Sequence, residues 1–253
     1  MFTVERQQEI LNLLKSKKSI SVTELSRMFF IGEATIRRDL EKLGKKGLLK
    51  RTYGGAVLLE GLDIEIPLSV RESEEKVPKD IIGNSAASLV TSGDIIIIDS
   101  SSTALRLVPY LSAKNNLTAL TNGAKTAIEL GELPQIKVYC TGGRLRENSL
   151  SFIGETAEIF IENYFADIVF FSCRSISTQY GIFDSNEQES SLRRIMMRNS
   201  KKSVLLCDHT KFDKVSFSKI CDFTKIDCLI TDVKPSDEWT NYLKDLDVKL
   251  IYP

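Results

Sequence analysis

The chain has 253 residues, with 34 lysines and arginines, 34 aspartates and glutamates, and 42% hydrophobic residues. This composition is that of a soluble globular protein long enough for one large core and a small one, and no segment approaches eighteen continuous apolar residues, so no membrane span is expected. The zero net charge hides an asymmetry: residues 1–57 carry twelve basic against six acidic groups, a net +6, and the remainder is −6. A basic head of this kind points to a polyanionic partner. The five cysteines, Cys140, Cys173, Cys207, Cys221 and Cys228, form no CxxC pair and lie mostly in apolar runs. They read as buried free thiols of a reducing compartment, and with no signal peptide behind Met1 the expected location is the cytoplasm.

In chain order, Ile10, Leu11, Leu13 and Leu14 make the apolar stripe of a first helix from about Val4 to Lys17. "SVTE" then places Ser21 and Glu24 as a capping box, opening a short helix through Leu25 and Met28. After the turn "FIGE", a third helix begins near Glu33; Ile36, Leu40 and Leu43 form its buried side, Ala34, Arg38, Glu41, Lys42 and Lys45 point away, and Thr35 and Arg37 flank. "LLKRTYGGAV" predicts two short strands with Gly54 and Gly55 near the turn. Helix, capped helix, basic helix and wing together predict a winged helix-turn-helix over residues 1–57 that lays its third helix in the major groove of double-stranded operator DNA. The candidate DNA contacts are Ser21, Thr23, Ala34, Thr35, Arg37, Arg38, Lys42, Arg51, Tyr53 and Gly54. Arginine suits this work because its guanidinium forks onto guanine or phosphate oxygens.

Residues 58–78, broken by Pro67 and Pro78, predict a connector, and residues 79–253 predict a mostly parallel α/β domain. Its strands are "DIIIID", "LTAL", "IKVYC", "DIVFFSC", "SVLLCD", "DCLITD" and "VKLIY", with helix-length segments at 79–91, 103–112, 154–164 and 186–200. Five of these strands exit into polar residues: "SSST", "TNGAK", "TGGR", "SCRS" and "CDHTK". In an open parallel sheet that edge is where ligands bind. Ser100, Ser101, Ser102 and Thr103 begin a helix and can cradle phosphate, Gly142 and Gly143 permit close backbone approach, Arg144 and Lys211 supply cations, and Asp208 can accept from sugar hydroxyls. Each has a plainer reading: "SSST" as a helix cap, "TGGR" as a tight turn, and Asp208 with Lys211 as a surface pair.

The stretches "ERQQEILNLLKSKKSISVTELSRMFFIGEATIRRDLEKLGKKGLLKRTYGGAV", "DIIIIDSSSTALRLVPYL", "LTALTNG", "YCTGGRLRENSLSFIGE", "GIFDSNEQES" and "LLCDHTKFDKVSF" resemble the DeoR family of bacterial sugar-metabolism repressors. That resemblance implies a sensor domain similar in fold to ribose 5-phosphate isomerase, which binds a sugar phosphate. It carries the effector site onto Asp99, Ser102, Thr103, Thr121, Asn122, Gly142, Gly143, Arg144, Asp208 and Lys211. The sequence departs from the family pattern with Gly32 for a serine cap, Tyr53 for histidine, Ser101 and Ser175 for glycines, and Pro78 within a helical stretch. The expected protein is a homo-oligomeric repressor, dimer or tetramer, of a sugar or polyol utilisation operon, relieved by a phosphorylated sugar. No catalytic residue, metal, cofactor or membrane partner is expected. The alternative is a sugar phosphate isomerase-like enzyme with a DNA-binding head, using carboxylates such as Asp99, Asp184 or Glu187; a thiol sensor at Cys173 and Cys207 is a weaker third.

Overall fold

A computed structural model describes residues 3–45, 48–57 and 66–253. It divides into two compact units, Met1–Pro67 and Leu68–Pro253.

In the first unit, helices α1 (Thr3–Lys17), α2 (Val22–Phe29) and α3 (Glu33–Lys45) precede a hairpin of β2 (Lys50–Thr52) and β3 (Gly55–Val57). Ser21 caps α2 by accepting from the Glu24 amide at 3.1 Å. At its other end Phe30 takes a left-handed conformation, φ 54°, and its amide returns to the Ser26 carbonyl, which turns the chain into α3. Ile10, Leu14, Leu25, Ile36, Leu40 and Leu43 are buried together, while Leu13, expected in the stripe, is only half-buried. Ser19–Ser21 also forms a strand, β1, paired antiparallel to β3, so the wing is a three-stranded sheet of order β1-β3-β2. Three residues with one buried side chain, Ile20, are too few to display a period in sequence.

β3 lies so close to β1 that a Cβ on Gly55 would stand 2.2 Å from the Ile20 carbonyl oxygen. The obstacle is backbone and cannot rotate aside. Gly55→Ala is therefore expected to destabilise the head by about 1–3 kcal/mol, measured by thermal unfolding; a melting curve indistinguishable from wild type would contradict this packing.

The second unit is built on seven strands, β4 (Ile95–Ile98), β5 (Leu117–Thr121), β6 (Ile136–Cys140), β9 (Ala166–Ser172), β12 (Ser200–Leu206), β14 (Cys228–Ile230) and β15 (Lys249–Ile251). All neighbours are parallel, in the order β15-β14-β12-β9-β4-β5-β6. These are the seven strands the apolar runs predict, and both faces are covered. Ile97, Val169, Phe171, Leu205 and Leu229 pack in one core, and Ile96, Ile98, Ile168, Phe170 and Val204 in the other. The runs are continuous in sequence because alternate residues serve opposite cores. The helices are α4 (Leu68–Ser73), α5 (Lys76–Ala87), α6 (Ser102–Leu105), α7 (Ala124–Gly131), α8 (Glu155–Glu162), α9 (Glu187–Arg198) and α10 (Asp237–Asp245). A hairpin of β7 (Arg144–Arg146) and β8 (Ser151–Ile153) and an antiparallel sheet of β10 (Ser175–Ser177), β11 (Gly181–Asp184) and β13 (Ser218–Cys221) complete the unit.

Three sequence expectations are corrected here. Residues 68–78 are not connector: they form α4 and the start of α5, and Leu68 and Lys79 are buried. Pro78 is tolerated because it occupies the first turn of α5, where a backbone N–H has no intrahelical acceptor to lose. Of the remaining connector residues, 58–65 lie outside the described residues, and Pro67 is buried. The cysteines are all free, yet Cys140 is exposed and Cys221 only half-buried.

Candidate nucleic-acid interface and effector site

The outward side of α3 presents Ala34, Arg37, Arg38 and Lys42 to solvent, with Thr35 half-buried at its margin. Glu33, in the first turn, accepts from Thr23 Oγ1 at 2.9 Å and pairs with Arg37 at 3.2 Å. These bonds hold the Glu33 carboxyl below its ordinary pKa, Thr23 contributing most. Ser21 is exposed but already engaged in capping α2. Arg51 is exposed on β2, and its stem runs past Gly44 of α3, 3.5 Å from where a Cβ would be. Tyr53 and Gly54 form the wing turn, Tyr53 fully exposed.

What orients this face is a residue the charge pattern conceals. Asp39, directly after Arg37 and Arg38, points inward and is 2% exposed. It accepts from Arg6 Nε of α1 at 2.6 Å and from Gln7 Nε2 at 3.0 Å. The ion pair fixes α3 on α1 so that the two arginines face out.

In the body, successive strands run outward in both directions from the β4/β9 boundary, which makes that boundary the topological switch point, and its carboxyl edge is the crevice where open α/β sheets commonly place ligands. Asp99, Ser100, Ser101, Ser102, Thr103, Thr121, Asn122 and Asp208 all arrive at this edge, and all are buried. Asp208 pairs with Lys211 at 3.3 Å. Lys211 Nζ also donates to Ser172 Oγ at 2.8 Å and to Thr103 Oγ1 at 3.4 Å, joining the exits of β4, β9 and β12. Burial disfavours both charges, but each offsets it for the other: Asp208 is held below the ordinary carboxyl range and Lys211 above the ordinary lysine range.

A second cluster adjoins it. Asn122 Nδ2 donates to Phe152 O at 3.2 Å and approaches Ser100 Oγ at 3.5 Å, while its buried Oδ1 has no partner among the described residues. A buried amide oxygen without a donor is a place for a ligand hydroxyl or water. Thr121 Oγ1 accepts from the Gly123 amide at 3.0 Å. Gly142 and Gly143 have φ of 63° and 107°, values that favour glycine.

Other candidate residues are placed differently from their simplest reading. Ser101 accepts from the Ala104 amide at 3.1 Å and donates to Asp99 at 2.5 Å, so it caps α6. Asp99 is 1% exposed and faces Arg193 rather than open space, Arg193 Nε donating at 2.7 Å. Arg144 is exposed and bonds Gln188 at 2.7 Å, whereas Arg146, two residues on, turns toward the buried Glu189 at 2.9 Å. His209 is half-exposed, with Nδ1 2.7 Å from Asp232.

Three charged residues outside the predicted set organise this edge. Arg193 of α9, 5% exposed, meets Asp99 and Asp184 each at 2.7 Å and Glu189 at 3.6 Å. Glu189 in turn accepts from Ser151 at 2.5 Å and approaches Ser100 at 3.3 Å. Lys79 of α5, also 5% exposed, is the third. In sequence all three sit in charged helical stretches that read as solvated faces; only an amphipathic count placing Arg193 beside Leu192 and Met196 hints at its burial. Cys173 and Cys207 approach to 4.0 Å, but burial pushes the Cys207 thiol well above its ordinary pKa, which disfavours the reactive thiolate. Among the described residues no cluster of three or more His, Cys, Asp or Glu is placed to hold a metal, and no helix is long and apolar enough to cross a membrane.

A winged helix-turn-helix with an outward basic helix, followed in the same chain by a doubly wound α/β unit with a polar crevice, defines a DNA-binding transcriptional regulator with a sensor domain. The chain belongs to the DeoR family: residues 6–61 match the DeoR-like helix-turn-helix domain and residues 74–233 the DeoR C terminal sensor domain. It is 40% identical to the HTH-type transcriptional regulator YulB of Bacillus subtilis, over 99% of this chain and 96% of that protein. It is 32% identical to the transcriptional repressor AccR of Agrobacterium fabrum, over 91% of this chain and 90% of the other. It is also 32% identical to the L-fucose operon activator of Haemophilus influenzae, over 97% and 98% of the two chains. Among solved structures, ribose 5-phosphate isomerase A of Neisseria gonorrhoeae is 17% identical, with a TM-score of 0.40 and 55% of this chain and 53% of that chain covered.

Proposed function

We propose that the chain is a homo-oligomeric repressor of a sugar or polyol utilisation operon, released from its operator when a phosphorylated sugar enters the crevice at the β4/β9 boundary. The observation that carries the effector reading is Lys211: a half-buried cation at the switch point, donating to hydroxyls at the exits of two strands and held charged by Asp208. Ser100, Ser102, Thr103, Thr121, Asn122 and Asp208 offer hydroxyl, amide and carboxylate partners for a polyol, and the glycines Gly142 and Gly143 admit it closely. Ser101, Asp99 and Arg144 are assigned supporting roles, because their polar atoms are already engaged. The sugar class agrees with the name of the fucose operon relative, and repression with the name of AccR. Oligomerisation follows from the need to read more bases than one winged helix covers. The enzyme reading is disfavoured because its candidate bases are committed elsewhere: Asp99 and Asp184 to Arg193, and Glu187 to Arg194 and Ser218.

The effector reading is tested by a thermal-shift screen of pentose, hexose and polyol phosphates. A binder at about 100 times its Kd adds about 2.7 kcal/mol by mass action, and Lys211→Met is expected to erase that shift. A shift fully retained in Lys211→Met, or no shift from any compound, would count against it.

On the DNA side, Ser21, Thr23, Ala34, Thr35, Arg37, Arg38, Lys42, Arg51, Tyr53 and Gly54 form the proposed contact surface. Arg38→Ala is expected to weaken operator binding about tenfold or more while the melting temperature stays unchanged. If the lost contact is to phosphate, the slope of log K against log salt falls by about 0.9. Unchanged affinity in gel-shift titrations would exclude Arg38 from the interface.

A further inference from the structure

Buried lysines are stabilised by carboxylates or stay neutral. Lys79 has neither arrangement in full. Its Nζ donates to the carbonyl oxygens of Arg71 at 2.5 Å and Glu74 at 2.7 Å, and among the described residues no carboxylate lies within ion-pair distance of it. Those carbonyls belong to the last turn of α4 and the residue just past it. Lys211 and Asp208 are near enough for their charges to act on Lys79, and Lys79 in turn acts on Asp208. Lys79, Lys211 and Arg71 against Asp208 and Glu74 leave this corner of the crevice with one surplus positive charge, and the Lys79 ammonium is parked on neutral carbonyls. Burial first, and Lys211 second, push the Lys79 pKa down to about 8, with Asp208 and Glu74 opposing. An arriving dianion would reverse that balance.

α4 is gripped by other cations as well. Arg106, directly after α6, donates to the Glu72 carbonyl at 2.8 Å, and Lys125 of α7 pairs with the Glu72 carboxylate. Both come from elements that begin at the crevice: α6 follows Ser101, and α7 follows Asn122 and Gly123. α4 is also the first helix after the residues that lead out of the DNA-binding unit.

We propose that Lys79 is the second cation of the anion site, and that on turning to the anion it releases the end of α4. This rests on the effector reading above, with Lys79 in the place that Arg144 holds in the sequence-based site. The released carbonyls of Arg71 and Glu74 lose a charged donor, so α4 frays from its C-terminal end.

The test uses the full-length protein with inorganic phosphate as probe, combining calorimetric titration with hydrogen exchange of residues 68–75. Wild-type protein is expected to bind phosphate and to exchange faster across 68–75 when it does. Lys79→Met is expected to weaken binding about tenfold or more, whereas Lys79→Arg, which keeps the cation, stays within about threefold. Lys79→Met should also exchange fast across 68–75 without phosphate. The inference is overturned if phosphate leaves exchange across 68–75 unchanged in the wild type, a result that depends on no variant, or if Lys79→Met binds as the wild type does. Loss of binding in Lys211→Met together with wild-type binding in Lys79→Met would leave the effector reading standing and remove this one; no binding by the wild type would remove both.

Discussion

Arg193→Met is expected to destabilise the sensor domain by about 3–5 kcal/mol. The methionine fills a similar volume, so little of the loss is packing. What disappears is the cation that meets Asp99, Asp184 and Glu189 together, at 2.7, 2.7 and 3.6 Å. Three carboxylates then share the site, with Arg146 still on Glu189 but Asp99 and Asp184 stripped of their shared cation, and each that ionises opposes the others. A total stability of about 5–15 kcal/mol is usual for a domain, so denaturant melts should move conspicuously. The pH dependence has a definite sign. Burial alone would push the Glu189 carboxyl up, but Arg193, the Ser151 hydroxyl and Arg146 together hold it below its ordinary value of 4.5. The stability this contributes is therefore fully present above that ordinary value and is lost as pH falls through the lower folded value. The gap between wild type and Arg193→Met should be widest at neutral pH and narrow in acid. A variant within about 1 kcal/mol of wild type at pH 7 would mean the cluster is not held by charge.

Asp39→Asn is expected to cost the head about 3 kcal/mol. The substitution keeps the shape and a hydrogen-bonding oxygen for Gln7, but removes the carboxylate that neutralises buried Arg6 at 2.6 Å. Calorimetry should show the head unfolding at a lower temperature while the body's transition stays in place, since the two are separate compact units. Operator affinity should fall with the head's stability, although the substituted side chain points inward, away from the basic face of α3. A head transition shifted by less than about 0.5 kcal/mol would show that α3 is positioned by its apolar side alone.

How far the sequence discloses this molecule depends on the kind of signal. "DIIIID" and "DIVFFSC" are legible as central strands because both of their faces are buried, and a run of apolar residues has few other uses. The basic side of α3 is legible because Ile36, Leu40 and Leu43 fix the opposite side by period. β1, β7, β8, β10, β11 and β13 are not legible: at three or four residues each, pairing partners rather than period create them. Arg144 and Arg146 show the limit most plainly. Residues two apart on an ideal strand share a face, yet here the first is exposed beside Gln188 and the second reaches Glu189, a difference set by the ends of a three-residue hairpin strand. Arg193 and Asp39 are hidden for a common reason: a charge is read as solvated until a distant partner is known, and Asp99 and Arg6, which hold them, lie 94 and 33 residues away in the chain. Lys79 is hidden differently, since the carbonyls it bonds are backbone and leave no mark in sequence.

The position of β4 beside β9 has a temporal consequence. The pair that bounds the crevice joins Ile95 to Asp167, 72 positions apart in the chain, and β12 must still add to its far side. Contacts of such long sequence separation form slowly. During synthesis the DNA-reading head, with its short-range helices and hairpin, can mature while the centre of the sensor is still inside the ribosome. A newly made chain thus completes the fold of its DNA-reading head before the β4/β9 edge exists, and that edge is walled on its far side only once β12 has emerged.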